Sequence, residues 1–400
     1  MTVVWYAALG LGSSAFRVIM PALGSGGRAA LGALSGFVAV SALSTWAPWA
    51  GIDPVGLLEM TGAVFLFLAA WEKVVAASPA SRRRVLIVGA ADGGAEVIDE
   101  LALAGETPYD IVGIVDDERE NDVAGVSWLG GLGDLPWILE LHRPDLVVLA
   151  VTKNRPEAFS ALLSGSGAGF ELLGLAEFHE QAFGRVPVRH VTAAWFMSVL
   201  HYYRRPYTQL AKRTFDIVGA VTALVLTAPV FLILGLLVRR TSGPIIYRQT
   251  RLGEGGRHFT MLKFRTMCDD AESDGEAVWA DENDARTTTV GHFIRRSRLD
   301  EMPQLWNVLK GEMSIVGPRP ERPEFVDCLR QTVPFWTRRH LVKPGITGWA
   351  QVRRGYTADT AGTAEKLSYD LWYLRHRSLV TDLAICAKTF ATLLSGSGAR

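Results

Sequence analysis

RRSRLDEMPQLWNVLKGEMSIVGPRP, residues 295–320, is the stretch on which the reading of this chain turns. It opens on a basic cluster, Arg295, Arg296 and Arg298, and then sets two adjacent carboxylates, Asp300 and Glu301, before Met302 and Pro303. Leu305, Trp306 and Leu309 recur at helical spacing, and Gly311 closes the run. The pattern predicts a short helix with Asp300 at or near its N-cap. Proline is tolerated in a first turn, where the N–H it lacks would have no partner. Lys310-Gly311 then supplies a cation and a residue free to take positive φ. A carboxylate at a helix N-terminus faces the positive pole of the dipole and unpaired N–H groups, surroundings that also bind phosphate. Two readings are open. One is a capped helix with a solvated charge cluster. The other is a phosphoryl site, in which Asp300 attacks phosphorus and Glu301 holds a hard cation such as Mg²⁺.

Four hundred residues suffice for two or three domains. Lys plus Arg and Asp plus Glu are equal at 41 each, so the whole chain makes no case for nucleic-acid binding. The arginines are local: phosphate ligands, or cations at a membrane surface. Mean hydropathy is positive, +0.18, and aliphatic residues gather in blocks, as in a membrane protein. Three widely spaced cysteines, Cys268, Cys328 and Cys386, form neither a disulfide framework nor a zinc pattern. They suit a reducing compartment and read as packing residues.

Upstream lie three apolar stretches, near 3–23, 29–46 and 55–77, each about long enough to span a bilayer. The start lacks the basic n-region of a signal peptide. Arg28 lies between the first two stretches, and Arg82, Arg83 and Arg84 follow the third. The positive-inside rule then predicts three spans with the N-terminus outside and the remainder cytoplasmic.

Between 82 and 200 the pattern changes to strand, helix, strand. RVLIVG runs into a glycine turn, a helix is predicted over 95–104, and strands are predicted over 110–115 and 145–151. This alternation predicts a Rossmann-like unit. Gly89, Gly94 and the acidic Asp116 stand where a dinucleotide fingerprint would place its turn and its ribose ligand. Ala91 replaces the glycine that lets the backbone approach a pyrophosphate, and Asp92 adds negative charge there. An accessory domain with regulatory or assembly duties is the competing reading.

Downstream, Lys212-Arg213 precede a long apolar run, 215–238, that Arg239-Arg240 close. Pro229 in mid-run predicts a sharp kink. A turn and short strand follow over 243–253. Residues 259–267 alternate apolar positions with Lys263 and Arg265, which predicts both cations on one side of a strand, as phosphate ligands or lipid contacts. Residues 269–285 are acidic and predict a mobile surface loop. Pro318 and Pro320 restrict Arg319, whose guanidinium is suited to phosphate. Trp349 predicts a lipid-interface or site-packing role, the 369–373 aromatics predict core packing, and 379–394 predicts an amphipathic helix in the membrane plane.

Five motifs carry a resemblance: KRTFDIVGA (212–220), GPIIYRQTRLG (243–253), FTMLKFRTM (259–267), LDEMPQLWNVLKGEMSIVGPRP (299–320) and KPGITGWAQV (343–352). In this order they closely resemble the bacterial sugar transferase family, monotopic polyprenyl-phosphate glycosyl-1-phosphate transferases, in the large form with N-terminal membrane segments and a Rossmann-like domain. The fold class expected is therefore a membrane α/β protein. It comprises transmembrane helices over 1–78, a Rossmann-like accessory domain over 82–200, and an α+β catalytic domain over 205–400. The resemblance implies that the helix at about 213–240 is re-entrant, kinked at Pro229; an ordinary span is the alternative. Large members of the family usually carry more N-terminal spans than this chain offers.

The implied reaction transfers a sugar 1-phosphate from a UDP-sugar to undecaprenyl (polyprenyl) phosphate and releases UMP, through a phosphosugar–aspartate intermediate. Asp300 and Glu301 are then the catalytic pair, with Glu301 a ligand of Mg²⁺, and Lys263, Arg265, Arg295, Arg319 and Asp370 bind substrate. The expected place is the bacterial inner membrane, catalytic domain on the cytoplasmic face. The partners are UDP-sugar, polyprenyl phosphate and lipid, without nucleic acid. A homodimer is compatible with the sequence, though no motif specifies it. Two other readings are a membrane-anchored nucleotide-sugar epimerase or dehydratase that uses the middle block, and a non-catalytic scaffold of a polysaccharide-assembly complex.

Overall fold

A computed structural model of the chain describes residues 59, 62–63, 66–67 and 70, and residues 82–395 apart from 106, 119–120, 152–154, 166, 168, 192–194, 198, 200–205, 242, 269–285 and 354–359. Most of the three expected N-terminal spans and the acidic 269–285 segment lie outside the described residues. The few described positions between 59 and 70 are helical and exposed. The chain forms two compact units, Met1–His190 and Val191–Arg400. Residues just after 190, read from sequence with the middle block, belong to the second unit. There Phe196 packs its ring 4.9 Å from that of Phe335.

The first unit is a five-stranded parallel sheet in the order β3-β2-β1-β4-β5. Its strands are β1 (Arg83–Val88), β2 (Tyr109–Val115), β3 (Trp128–Gly130), β4 (Leu146–Leu149) and β5 (Glu171–Gly174). Helices α1 (Ala95–Ala104), α2 (Leu135–His142), α3 (Arg155–Ser164) and α4 (Leu175–Phe183) connect them. Period-2 alternation explains the two layers. Val85 and Ile87 face a cluster with Val97, Ile98 and Phe178 from α1 and α4. Leu86 and Val88 face the opposite one, with Leu135, Ile138 and Leu162 from α2 and α3. A sheet covered on both faces must be apolar on both, which is why β1 and β4 read as unbroken hydrophobic runs.

The second unit begins with α5 (Pro206–Arg239), one helix with Pro229 inside it, where the sequence predicts a kink. The Thr227 hydroxyl donates to the Ala223 carbonyl at 2.6 Å, the i−4 back-bond that bends a helix slightly. Within it, Gln209–Arg239 is long and apolar enough to cross a membrane. Val218, Val225, Leu226 and Leu232 stand exposed on it. Strands β6 (Ile246–Leu252) and β7 (His258–Phe264) form an antiparallel hairpin. Then come α6 (Thr289–Arg296), α7 (Gln304–Lys310), β8 (Ser314–Val316), α8 (Pro323–Thr332), β9 (Gly345–Thr347), α9 (Trp349–Arg353), α10 (Thr360–His376) and α11 (Leu379–Ser395). β8 and β9 pair in parallel.

Trp349 is buried, stacked 4.8 Å from Trp372. Of its two predicted roles it takes packing, within the core. Leu371, Trp372 and Tyr373 are buried, as the aromatic stretch predicts. Helix α11 buries Asp382 and Ile385 against the unit and exposes Leu383 and Phe390. Cys268 and Cys328 are exposed and Cys386 is half-buried, all three free, so the first two are not packing residues.

Candidate active site

Local signals bring the carboxylate pair into place. Thr288 caps α6, its hydroxyl accepting from Gly291 N at 2.9 Å. Any side chain at Gly291 would overlap the Thr266 carbonyl, so glycine is what lets α6 lie against the end of β7. Past α6, Arg298 takes φ 54°, a left-handed conformation costing a non-glycine residue roughly 1–2 kcal/mol. The reversal leads into a single 3₁₀ turn, Leu299–Glu301.

Asp300 and Glu301 therefore sit in that turn, before α7, and Pro303 rather than Asp300 occupies the position ahead of the helix. The expected N-cap is corrected. The flanking apolar residues decided the outcome: Leu299 and Met302 pack with Phe264, Ile294, Leu234 and Val238, which draws the pair inward. Neither carboxylate is solvated; Asp300 is 9% exposed and Glu301 8%. The predicted stop at Gly311 is present, with φ 87°.

The two carboxylates are treated differently. Glu301 Oε1 accepts from Arg319 at 2.7 Å and lies 3.6 Å from Lys263 Nζ. Burial pushes the Glu301 carboxyl up, but Arg319 and Lys263 outweigh it and hold it at about 2. Among the described residues none hydrogen-bonds the Asp300 carboxylate. Burial pushes it up to about 6, against the pull of Lys263, Arg319 and Arg295, and with the like charge of Glu301 adding to the rise. Burial lowers Lys263, and Glu301 opposes that. Glu301 is thus held as an anion by its two cations, while the Asp300 carboxylate makes no hydrogen bond among the described residues and is buried beside it.

Of the five predicted substrate ligands, three gather here: Lys263, Arg319 and Arg295. Arg295 also donates to Thr287 Oγ1 at 3.0 Å. Arg265 does not join them. β7 ends at Phe264, so the alternation that paired it with Lys263 stops one residue short. Its guanidinium donates instead to Thr241 O and Oγ1, at 3.1 and 2.8 Å, beyond the C-terminus of α5. Asp370 is 1% exposed and pairs with Arg339 at 2.7 Å. Sequence reasoning missed Arg339, and also Asn307. The Asn307 side chain accepts from Leu262 N and donates to Thr260 O, tying α7 to β7. It missed Asp216 as well, buried in an apolar run and accepting from Ser314 Oγ at 2.9 Å. An acid within such a run, four residues after Lys212, was the available signal.

Mg²⁺ takes hard oxygen donors and commonly uses one or two carboxylates, completing its shell with water and phosphate oxygens. The adjacent Asp300 and Glu301 fit that donor set. Among the described residues no group of three or more His, Cys, Asp or Glu forms.

In the first unit, Gly89 takes φ 102°, and a Cβ there would press on the Val151 backbone. A Cβ on Gly94 would overlap the Gly89 carbonyl. Both glycines serve packing. Asp116 accepts from Ala90 N at 2.5 Å and Ala91 N at 2.9 Å. Its carboxylate occupies the amides that a dinucleotide phosphate would need.

A buried carboxylate pair ringed by three cations, beside a helix long and apolar enough to cross a membrane, has the charge layout of a phosphoryl-transfer site. A profile of the bacterial sugar transferases matches residues 207–396. A UDP-glucose:undecaprenyl-phosphate glucose-1-phosphate transferase of Escherichia coli (strain K12) is 31% identical over 373 residues, 88% of this chain and 75% of the relative. A UDP-N-acetylgalactosamine-undecaprenyl-phosphate N-acetylgalactosaminephosphotransferase of Aeromonas hydrophila is 43% identical over 227 residues, 56% and 53% of the two chains. A glucose-1-phosphate transferase of Xanthomonas campestris pv. campestris, named like the Escherichia coli one, is 34% identical over 300 residues, 72% and 60%. The matches span about half to three quarters of these relatives' lengths. The chain belongs to the bacterial sugar transferase family.

Proposed function

We propose that this protein transfers a sugar 1-phosphate from a UDP-sugar to undecaprenyl phosphate at a bacterial cytoplasmic membrane, releasing UMP. The observation that carries the reading is the unequal pair: Glu301 locked by Arg319, Asp300 buried among cations without a hydrogen-bond partner among the described residues. An Asp300 oxygen attacks the β-phosphorus. The bond from that phosphorus to the oxygen bridging the two phosphates breaks, and UMP departs with the bridging oxygen. A phosphate oxygen of the lipid then attacks the same phosphorus, and the aspartyl–phosphorus bond breaks, restoring the carboxylate. Lys263, Arg295 and Arg319 stabilise the phosphate charge at both steps. Asp300 and Glu301 are the residues that would hold Mg²⁺, whose contribution is to neutralise diphosphate charge.

The proposed membrane seat is α5, entering and leaving the cytoplasmic leaflet. Both of its ends are fastened to the same compact unit, which supports that path. Lys212 near its start pairs with Asp382 at 2.7 Å, and Val238 and Thr241 at its end receive Arg265. A crossing helix would carry one of those ends to the far side of about 30 Å of hydrocarbon, away from the unit that holds the other. UMP release is measured from membrane fractions given undecaprenyl phosphate, Mg²⁺ and a donor panel that includes UDP-glucose, UDP-galactose and UDP-N-acetylgalactosamine, with Asp300→Asn alongside. UMP from one donor, lost in the variant, is expected. A variant with normal turnover would remove Asp300 from the chemistry.

A further inference from the structure

Pro318 and Pro320 lack N–H groups, so the turn that presents Arg319 cannot hold itself by a backbone ladder. Its carbonyls are taken from outside. Pro318 O accepts from Gly345 N at 2.9 Å, and Pro320 O from Arg251 at 3.1 Å. The Arg319 carbonyl accepts from Arg339, Nη2 to O, at 3.0 Å.

Arg339 is built for that contact. It is 1% exposed, in the 3₁₀ turn Trp336–Leu341. Its Nε donates to Asp370 Oδ2 at 2.9 Å, its Nη2 lies 2.7 Å from the same oxygen, and its Nη1 reaches Glu321 Oε1 at 3.3 Å. Its guanidinium lies 4.5 Å from the Trp336 ring centroid. Lys366 pairs with Glu321 from the other side. Two cations, Arg339 and Lys366, thus balance two anions, Asp370 and Glu321, with Arg339 and Asp370 buried and the other two half-buried, and the planar fork of Arg339 is fixed by Asp370 while one arm reaches Arg319.

We propose that Arg339, oriented by Asp370 and Glu321, is a positioning residue that acts through the Arg319 main chain to aim the Arg319 guanidinium at Glu301 and the incoming diphosphate. The chain of contacts is continuous: Asp370 to Arg339, Arg339 to the Arg319 carbonyl, the Arg319 side chain to Glu301, and Glu301 next to Asp300 in the 3₁₀ turn. Asp370 therefore contributes through two intervening residues, Arg339 and Arg319, and not as the ligand the resemblance implies. Lysine at 339 would keep the charge and lose the fork.

The catalytic half of this inference rests on the function proposed above; the positional half does not. The test uses full-length protein in lipid. Amide exchange over residues 316–320 is compared with that over α7, in wild type and Arg339→Lys. A rise of about tenfold in the turn, with α7 unchanged, is expected. Then kcat/KM for UMP release is measured for R339K, R319A and the double variant. R339K should lose about 30-fold, and the double variant should be no worse than R319A, because the lever has nothing left to hold. Should R339K fail to fold, Asp370→Asn, nearly the same shape, takes its place with the same expectations. Losses that multiply in the double variant, or unchanged exchange in the turn, would overturn the proposal. Raised exchange in a wild-type background that releases no UMP from any donor would sink the functional reading and leave the positioning intact.

Discussion

Arg319 Nη2 lies 2.7 Å from Glu301 Oε1, although the two are 18 positions apart in the chain. The pair closes the loop between the 3₁₀ turn and the Gly317–Pro320 segment, and it assigns unequal roles to two neighbouring carboxylates. Glu301 is kept ionised by a cation that β7, through Lys263, reinforces. Asp300 is left with burial, a like charge beside it and no neutralising hydrogen bond among the described residues. Such divergence between neighbouring acids is how a site separates a structural anion from a reactive one.

Turnover should fall as pH drops through about 6. In the proposed reaction Asp300 attacks as a carboxylate, and burial raises its carboxyl from the ordinary value to about 6. Below that pH the protonated form dominates and the rate should drop tenfold per pH unit. A pH–rate profile of UMP release checks this. An acid limb near pH 4 would mean that the Asp300 carboxyl is not raised, or that its ionisation does not limit the rate.

Arg319→Ala should cost both stability and activity. It leaves Glu301 buried with Lys263, at 3.6 Å, as its remaining ion-pair partner among the described residues. A loss of about 2 kcal/mol in urea unfolding follows from an under-compensated buried charge, together with a fall of about 100-fold or more in kcat/KM. Unfolding at two pH values separates these. The Arg319-dependent stability requires ionised Glu301, whose carboxyl is depressed to about 2 in the fold. The stability contribution is present above the unfolded value near 4 and lost as pH falls toward 2.

Arg265→Met should behave as a structural lesion. Its guanidinium serves the carbonyls of Val238 and Thr241, not the carboxylate pair. Removing it should lower unfolding stability by about 1–3 kcal/mol while the donor KM of the folded fraction stays within about twofold. A large rise in KM at unchanged stability would return Arg265 to the substrate.

Asp116→Ala should destabilise the first unit by about 1–3 kcal/mol, because it strips partners from the buried Ala90 amide and the neighbouring Ala91 amide. Wild-type protein should show no thermal shift with NAD(H) or NADP(H). A dinucleotide that stabilises the wild type would reinstate the epimerase or dehydratase reading.

Much of the architecture was written in local pattern. Unbroken apolar runs marked β1 and β4 as strands covered on both faces. Residues 95–104 read as the helix observed there, Gly311 marked the end of α7, and the run around Pro229 read as the long apolar helix. Each of these signals depends on neighbours a few residues apart, where backbone propensity and side-chain periodicity act. The LDEMPQLWNVLKGEMSIVGPRP motif likewise singled out Asp300, Glu301 and Arg319. What the sequence could not distribute was the work among charged residues. Lys263 and Arg265 looked alike until β7 ended at Phe264, and Asp370 looked like a ligand until it met Arg339, 31 positions away. Asp300 looked like a helix cap until Leu299 and Met302 were drawn into the apolar cluster beneath it. A charge takes its role from its burial and from the counter-charge it meets, and both are set by contacts between distant parts of the chain, so only the tertiary structure decided them.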